Sequence, residues 1–316
     1  MWRLDRHLNG PEPASARDIE PINRLFAEAF TDRYTRDGLT GVRVPPLAAG
    51  VWRYAIETAG PGAMLWRDDD GRLVAFNMCH RSGIEGWMGP IAVRADRQGQ
   101  GVGRTAVQTG IDWLVQGGAQ VVGLETMPRT IDNIGFYSRI GFVPRHLTIS
   151  MIRDGARGKV PRERLSRSKL ARGAEQCNSL AARLVPGLEF KQELELTAEH
   201  QMGDTTVVLR RGEPVAFAIW HGAPLAAGRE RDELRVLKLV ALDLEAFDQI
   251  LAALEADAAE ERLRRVAIRC QTQYEAAWRK LVKRGYRAHW TDLRMTLPEY
   301  PEKPVREGVL FSNWEI

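Results

Sequence analysis

The 316-residue sequence predicts a mixed α/β fold arranged as two similar units in tandem, on three observations. Short alternating or apolar runs that read as strands recur between amphipathic runs that read as helices. The order of these runs in residues 180–297 repeats their order in the first half. The length also exceeds the roughly 100–200 residues of one ordinary domain. The expected division is a first domain over 12–153, a basic linker and helix over 154–179, a second domain over 180–297 and an extended tail over 298–316.

A composition of 44% hydrophobic and 27% charged residues is globular, and the net charge of +4 suits a polyanionic ligand as well as nucleic acid. Cys79, Cys177 and Cys270 are far apart with no CxxC pair, so neither zinc nor a disulfide framework is expected, and a reducing cytoplasm is the expected setting. The opening M-W-R-L-D-R-H-L-N-G-P-E-P lacks the apolar core of a signal peptide. No run approaches the roughly 20 apolar residues needed to cross a bilayer, so no membrane partner is expected.

Residues 15–30 read as an amphipathic helix with Asp18 as N-cap and Ile22, Leu25, Phe26, Ala29 and Phe30 on one face. Thr31 to Pro46 is polar and irregular, and a second helix covers Leu47 to Thr58. Ala63–Trp66 and Leu73–His80 alternate around D-D-D-G at Asp68 to Gly71, which predicts a hairpin. A third strand, Gly86–Val93, leads into I-A-V-R-A-D-R-Q-G-Q-G-V-G-R-T, Ile91 to Thr105. There Gly99, Gly101 and Gly103 precede a helix read as Arg104 to Gln116.

Glycines at alternate positions let main-chain N–H groups turn toward one point, and the new helix adds unpaired amides and the positive end of its dipole. This is a cradle for an anionic group such as a phosphate or pyrophosphate. The dinucleotide fingerprint needs a third glycine three residues after the second, and the nucleotide P-loop needs Gly-Lys before Ser or Thr; neither fits. A strand V-V-G-L-E-T, Val121 to Thr126, and a helix within N-I-G-F-Y-S-R-I-G-F, Asn133 to Phe142, follow.

Gln98-x-x-Gly101-x-Gly103 behind a strand resembles the coenzyme A loop of the GNAT superfamily of N-acetyltransferases, and Asn133, Phe136-Tyr137 and Gly141-Phe142 resemble the second half of that family's cofactor site. The resemblance implies acetyl-CoA as co-substrate, held by Ile91, Ala92, Val93, Gln98, Gly99, Gln100, Gly101, Val102, Gly103, Arg104, Thr105, Asn133 and Tyr137, with no metal. It further implies an oxyanion donor in the main-chain N–H of Val93 or Ile91, and Tyr137 as the acid that protonates the departing sulfur. It places Tyr34, Arg36, Trp52 and Tyr54 near the acceptor.

For the base, Glu85 and Glu125 stand at or on the central strands, and either serves if burial raises its pKa; His80 is a third candidate. The expected reaction is acetyl transfer to a primary amine of a small molecule by direct attack on the thioester, since no cysteine lies in either motif. The competing class is a non-catalytic acyl-CoA-binding sensor or interaction module. A monomer or homodimer is expected.

After Arg153 the stretch R-D-G-A-R-G-K-V-P-R-E-R-L-S-R-S-K-L-A-R carries many cations and no interleaved aromatics, which reads as a linker into a surface helix rather than a nucleic-acid arm. Thr205–Arg210 and Pro214–His221 form a second hairpin, Leu234–Leu242 a strand, Leu244–Arg262 a helix, Arg265–Cys270 a strand and Tyr274–Arg284 a helix before Gly285-Tyr286. Where the first half has its glycine loop, this half has V-A-L-D-L-E-A-F, whose bulk and acids, Asp243 and Glu245, oppose a pyrophosphate. It resembles a GNAT domain without a cofactor site. Pro301 and Pro304 bar a regular helix in the tail, which is expected to run extended and dock Val309, Leu310, Phe311 and Trp314.

Overall fold

The structure, a computed structural model, describes residues 7–155, 161–165 and 170–314. β1 (Asn9–Pro13) precedes α1 (Ile19–Arg36) and α2 (Ala49–Ala59). The hairpin is β2 (Ala63–Arg67) and β3 (Leu73–Ser82), and β4 (Glu85–Val93), α3 (Val102–Gln116), β5 (Val121–Thr126), α4 (Ile131–Ser138) and β6 (Val143–Asp154) follow. The later half runs β7 (Glu163–Arg164), α5 (Leu170–Leu184), α6 (Lys191–Glu199), β8 (Gly203–Arg210), β9 (Glu213–His221), β10 (Glu233–Ala241) and α7 (Leu244–Glu260). It ends with β11 (Arg265–Gln271), α8 (Glu275–Lys283), β12 (Arg287–Thr296) and β13 (Val309–Ser312).

α1 continues beyond its expected end because Asp32–Arg36 at 2.8 Å and Arg33–Asp37 at 2.6 Å are pairs one helical turn apart. Asp18 stands at the N-cap position, but its carboxylate accepts from Ser15 N at 2.9 Å and from Arg67 at 2.6 Å rather than from an α1 amide. The period-2 pattern of β3 separates its faces: Phe76 and Met78 pack with Ile22, Phe26 and Trp52 of α1 and α2, while Cys79 packs with Val107 and Leu114 of α3.

The thirteen described strands join one sheet in the order β1-β2-β3-β4-β5-β12-β6-β11-β10-β9-β8-β7, with β13 beside β10. This order contains an exchange. β5 hydrogen-bonds to β12, with Thr126 opposite Leu293 and Gly123 opposite Thr296, rather than to β6 of its own half. β11 in turn pairs with β6, from Arg265 opposite Asp154 to Gln271 opposite Thr148, and β6 and β12 lie side by side. Each half completes the other's sheet, so a division at residue 153 separates β6 and β12 from the outer strands they bond. Alternation tells which face of a strand is buried, but two equivalent sheet edges are open to it, and the partner is not written in that pattern.

Candidate active site

β4 and β5 run parallel only from Glu85 opposite Val121 to Met88 opposite Leu124. Beyond that point β4 keeps β3 on one side, with Asn77 opposite Ile91 and Ala75 opposite Val93, while its other edge borders a cavity of about 1040 Å³. Ile91, Ala92 and Val93 line this cavity, as do Gln98, Gly99, Gly101, Gly103 and Arg104 of the glycine loop. Side chains staple the loop from behind: Gln98 Nε2 donates to Val93 O at 3.0 Å, and Gln100 Nε2 to Asp96 O at 2.8 Å.

Gly99 and Gly101 have φ of +73° and +87°, and a β-carbon at either would meet nothing within 4 Å. The loop therefore presents bare main chain to open space, and Gly101 is the N-cap of α3, whose first amides lack intrahelical acceptors. These features fit a diphosphate. Three expected contacts do not reach the wall with their side chains: Val102 packs into the core beside Met64 and Trp66, and Gln100 and Thr105 point to solvent outside the cavity.

Asn133 and Tyr137 of α4 form the facing wall. Phe136 packs edge-on to Tyr137 at 5.1 Å, and burial pushes the Tyr137 phenol up to about 12, so it keeps its proton at neutral pH. Both halves build the rest of the cavity wall, from Phe30 and Tyr34 of α1 to Arg235, Arg269, Trp290, Asp292 and Trp314, while Arg36 of α1 donates to Gln98 Oε1 of the glycine loop at 3.4 Å. Trp52 and Tyr54, expected near the acceptor, are instead core residues. α2 turns its apolar face inward, with Trp52 edge-on to Phe26 and Phe76 at 5.4 and 5.7 Å and Tyr54 against His221 at 4.6 Å.

The candidate bases separate clearly. Glu85 lies at the closed end of β4, outside the cavity wall; burial raises its pKa, but its neighbours are Trp87 Nε1 at 3.4 Å, Ser312 and Lys238. His80 is stacked under Trp314 at 4.3 Å, and burial, reinforced by Lys238, holds it at about 3. Glu125 does line the cavity. Burial alone would raise its pKa, but Arg269 and Arg294 override that, with Thr148 donating at 2.6 Å, and hold it at about 2. A carboxylate so clamped is a weak proton acceptor.

Asp292, which the sequence did not single out, lines the same cavity from the exchanged strand β12. Burial pushes it up to about 6 against the opposing charge of Arg269, with Glu125 adding to the push. Its signal in the sequence is faint, because only the strand exchange brings residue 292 beside β5.

The Glu125 clamp makes a stability prediction. Glu125→Gln leaves buried Arg294 with Glu302, the carbonyl of Ser312 and the face of Trp87, and Arg269 with Asp292 and the carbonyl of Trp314, among their described partners. Breaking a buried pair costs about 3–5 kcal/mol, so denaturant titration at pH 7 should show a loss of that size; a loss below about 1 kcal/mol would contradict the clamp. Because the folded pKa of Glu125 is depressed from 4.5 to about 2, its contribution is present above pH 4.5 and fades as pH falls toward 2.

The matching corner of the later half is closed. β10 runs parallel to β11 only from Glu233 opposite Arg265 to Val236 opposite Ile268, and its next residues, Lys238–Ala241, pair with β13. The edge that stays open on β4 is thus filled by the chain's own tail, with Phe311 packed against Phe247 and Tyr274 at 5.7 and 5.5 Å. Asp243 caps α7 by accepting from Ala246 N at 2.7 Å and is itself paired with Arg210 at 2.9 Å.

In the basic stretch, Arg162 and Arg164 pair with Asp257, Glu260 and Glu261, and residues 156–160 and 166–169 lie outside the described residues. The expected surface helix is α5, whose Cys177, Leu180 and Ala181 pack on Phe217 and Ile219. Among the described residues no three His, Cys, Asp or Glu side chains cluster as a metal would require, and no helix is long and apolar enough to cross a membrane.

Residues 22–142 match the family model described as the acetyltransferase (GNAT) family. The fold is shared along nearly the whole chain with a GCN5-related N-acetyltransferase from Sphaerobacter thermophilus, at 15% identity and TM-score 0.60 over 96% of this chain and 98% of that one. A tandem GNAT protein from the clavulanic acid biosynthesis pathway aligns at 13% identity and TM-score 0.55, over 94% and 100%. N-myristoyltransferase of Saccharomyces cerevisiae with bound myristoyl-CoA aligns at 10% identity and TM-score 0.62, over 98% and 89%. No curated protein matches the chain significantly.

Proposed function

Taking as premise that residues 22–142 form a domain of the GNAT acetyltransferase family, we propose that the protein is a cytoplasmic enzyme that transfers an acetyl group from acetyl-CoA to a primary amine of a small-molecule acceptor. One observation carries this reading: the open edge of β4, the glycine loop and Tyr137 face a single cavity, while the corresponding edge of β10 is filled. Acetyl-CoA would supply an acyl carbon activated as a thioester. The main-chain amides at Gly99 to Gly103 and the α3 N-terminus would hold its diphosphate, with Asn133 beside its arm.

A main-chain N–H at Ile91 or Val93 would stabilise charge that develops on the acyl oxygen, and the Tyr137 phenol would give its proton to the sulfur as it departs. Direct attack is favoured because no cysteine lines the cavity and burial raises the pKa of all three thiols. An acceptor cavity walled by both halves supports a small acceptor over a protein surface.

The test is thiol release from acetyl-CoA and myristoyl-CoA across a panel of small primary amines, with calorimetric binding alongside. Acceptor-dependent release from acetyl-CoA is expected. Binding without any such release would favour a sensor. Tyr137→Phe should lower kcat about 100-fold, the low end for a general acid, and leave acetyl-CoA affinity within about twofold; unchanged turnover would remove Tyr137 as the acid.

A further inference from the structure

We propose that Asp292, carried by β12 from the later half, is the proton acceptor for the incoming amine, and that Trp290 and Tyr34 form the aromatic corner that receives its ammonium group. The inference rests on the acyl-transfer reading above and assigns the later half a direct part in the chemistry. Asp292 occupies the cavity wall one strand beyond β5, whose Thr126 also lines the cavity.

Oδ2 of Asp292 accepts from Arg269 at 3.0 Å and Oδ1 from Trp290 Nε1 at 3.3 Å, and each oxygen keeps a lone pair for a further donor. The side chain is 16% exposed, enough to meet a ligand while largely withdrawn from water. Tyr34 and Trp290 stand edge to face at 6.1 Å, and Trp290 is 41% exposed beside the carboxylate. Aromatic faces next to a carboxylate attract an ammonium ion by charge and by the ring quadrupole.

The charged and titratable groups that face Asp292 are Arg269 from β11, Glu125 from β5 and Tyr34 from α1. Arg269 is shared between two carboxylates, and Glu125 has Arg294 as a second cation. Glu125 is therefore held low by two cations, whereas burial pushes Asp292 up against the single shared Arg269, an asymmetry that suits Glu125 to a structural part and Asp292 to taking a proton.

The step balances as follows. The acceptor ammonium gives one proton to the Asp292 carboxylate, and its freed nitrogen pair bonds to the acyl carbon while the carbon–sulfur bond breaks. The sulfur takes the Tyr137 phenol proton, the nitrogen's surplus proton returns to the phenolate through water, and Asp292 releases its proton to solvent. The products are an amide, a free thiol and one proton.

The test uses the full chain with aspartate carboxyl carbons labelled with ¹³C. The resonance missing from Asp292→Asn, or from Asp292→Glu if the Asn variant does not fold, should titrate with a midpoint near 6. A midpoint at or below the ordinary aspartate value of 3.8 overturns the proposal. With acetyl-CoA and phenethylamine as probe, or water alone as a slow acceptor, thiol release should fall as pH drops through about 6. In Asp292→Asn that limb should vanish and kcat should drop about 100-fold, with acetyl-CoA affinity within about twofold and partial recovery in Asp292→Glu. If the Asn variant keeps the turnover and the acidic limb of the wild type, Asp292 is not the base, and the acyl-transfer reading stands without it. If the wild type binds no acetyl-CoA, that reading falls and this inference with it.

Discussion

A chain ending at Glu307 loses cooperative folding of its later half. Such a truncation removes β13, whose Val309, Leu310 and Phe311 are at most 6% exposed and close the β10–β11 fork. Burying three such side chains is worth about 5–9 kcal/mol at roughly 1.5–3 each, against about 5–15 kcal/mol for a whole folded domain. Their loss also opens the edge of β10 and uncovers Phe247 and Tyr274, a surface that invites strand addition by another chain. Asn313 goes too, and with it the bond to Gln271 at 2.6 Å and the bond to Arg269 O at 3.0 Å. Thermal unfolding followed by circular dichroism should show a broad, shifted or missing transition. A midpoint equal to that of the full chain would mean that the tail is a passenger.

The second large effect is on ligand binding rather than folding. Gly101→Glu should raise the acetyl-CoA Kd by at least about 100-fold, equivalent to about 2.7 kcal/mol. A side chain at φ +87° is strained by about 1–2 kcal/mol, and the added carboxylate stands where the loop amides converge. The β-carbon itself meets nothing within 4 Å, so the core is untouched and the denaturation midpoint should move only by the strain. Calorimetry checks the first quantity and denaturant titration the second. Unchanged affinity in a folded variant would remove this loop from the binding site.

The parts of the site legible in the sequence are those that local chemistry determines. Gly99 and Gly101 between a strand and a helix produce an exposed main-chain turn whatever surrounds them, Gly103 falls in the first turn of α3, and Asn133 and Tyr137 follow at a spacing that α4 brings to the same cavity. The bulky V-A-L-D-L-E-A-F run falls at a corner that the tail strand fills, and its Asp243 caps α7. Illegible were the features that depend on which edge a strand chooses. Trp52 and Glu85 carry residue types that suit a site, yet α2 turns Trp52 into the core and β4 places Glu85 at its closed end. Asp292 is an unremarkable acid in T-D-L-R until β12 crosses to β5 and sets it beside Arg269 and Glu125. In the sequence no strand is expected after Gly285-Tyr286, and burial along β12 rises from one end to the other instead of alternating, so the pairing that gives Asp292 its place is set by contacts across more than 160 residues.

The most direct test of the central claim is a crystal structure of the full chain with coenzyme A. The account predicts the diphosphate against the amides of Gly99 to Gly103, the arm along the open edge of β4, the thiol near Tyr137, and β13 still in place on β10. Coenzyme A lodged at the β10–α7 corner, or absent from the β4–β5 fork at saturating concentration, would contradict it.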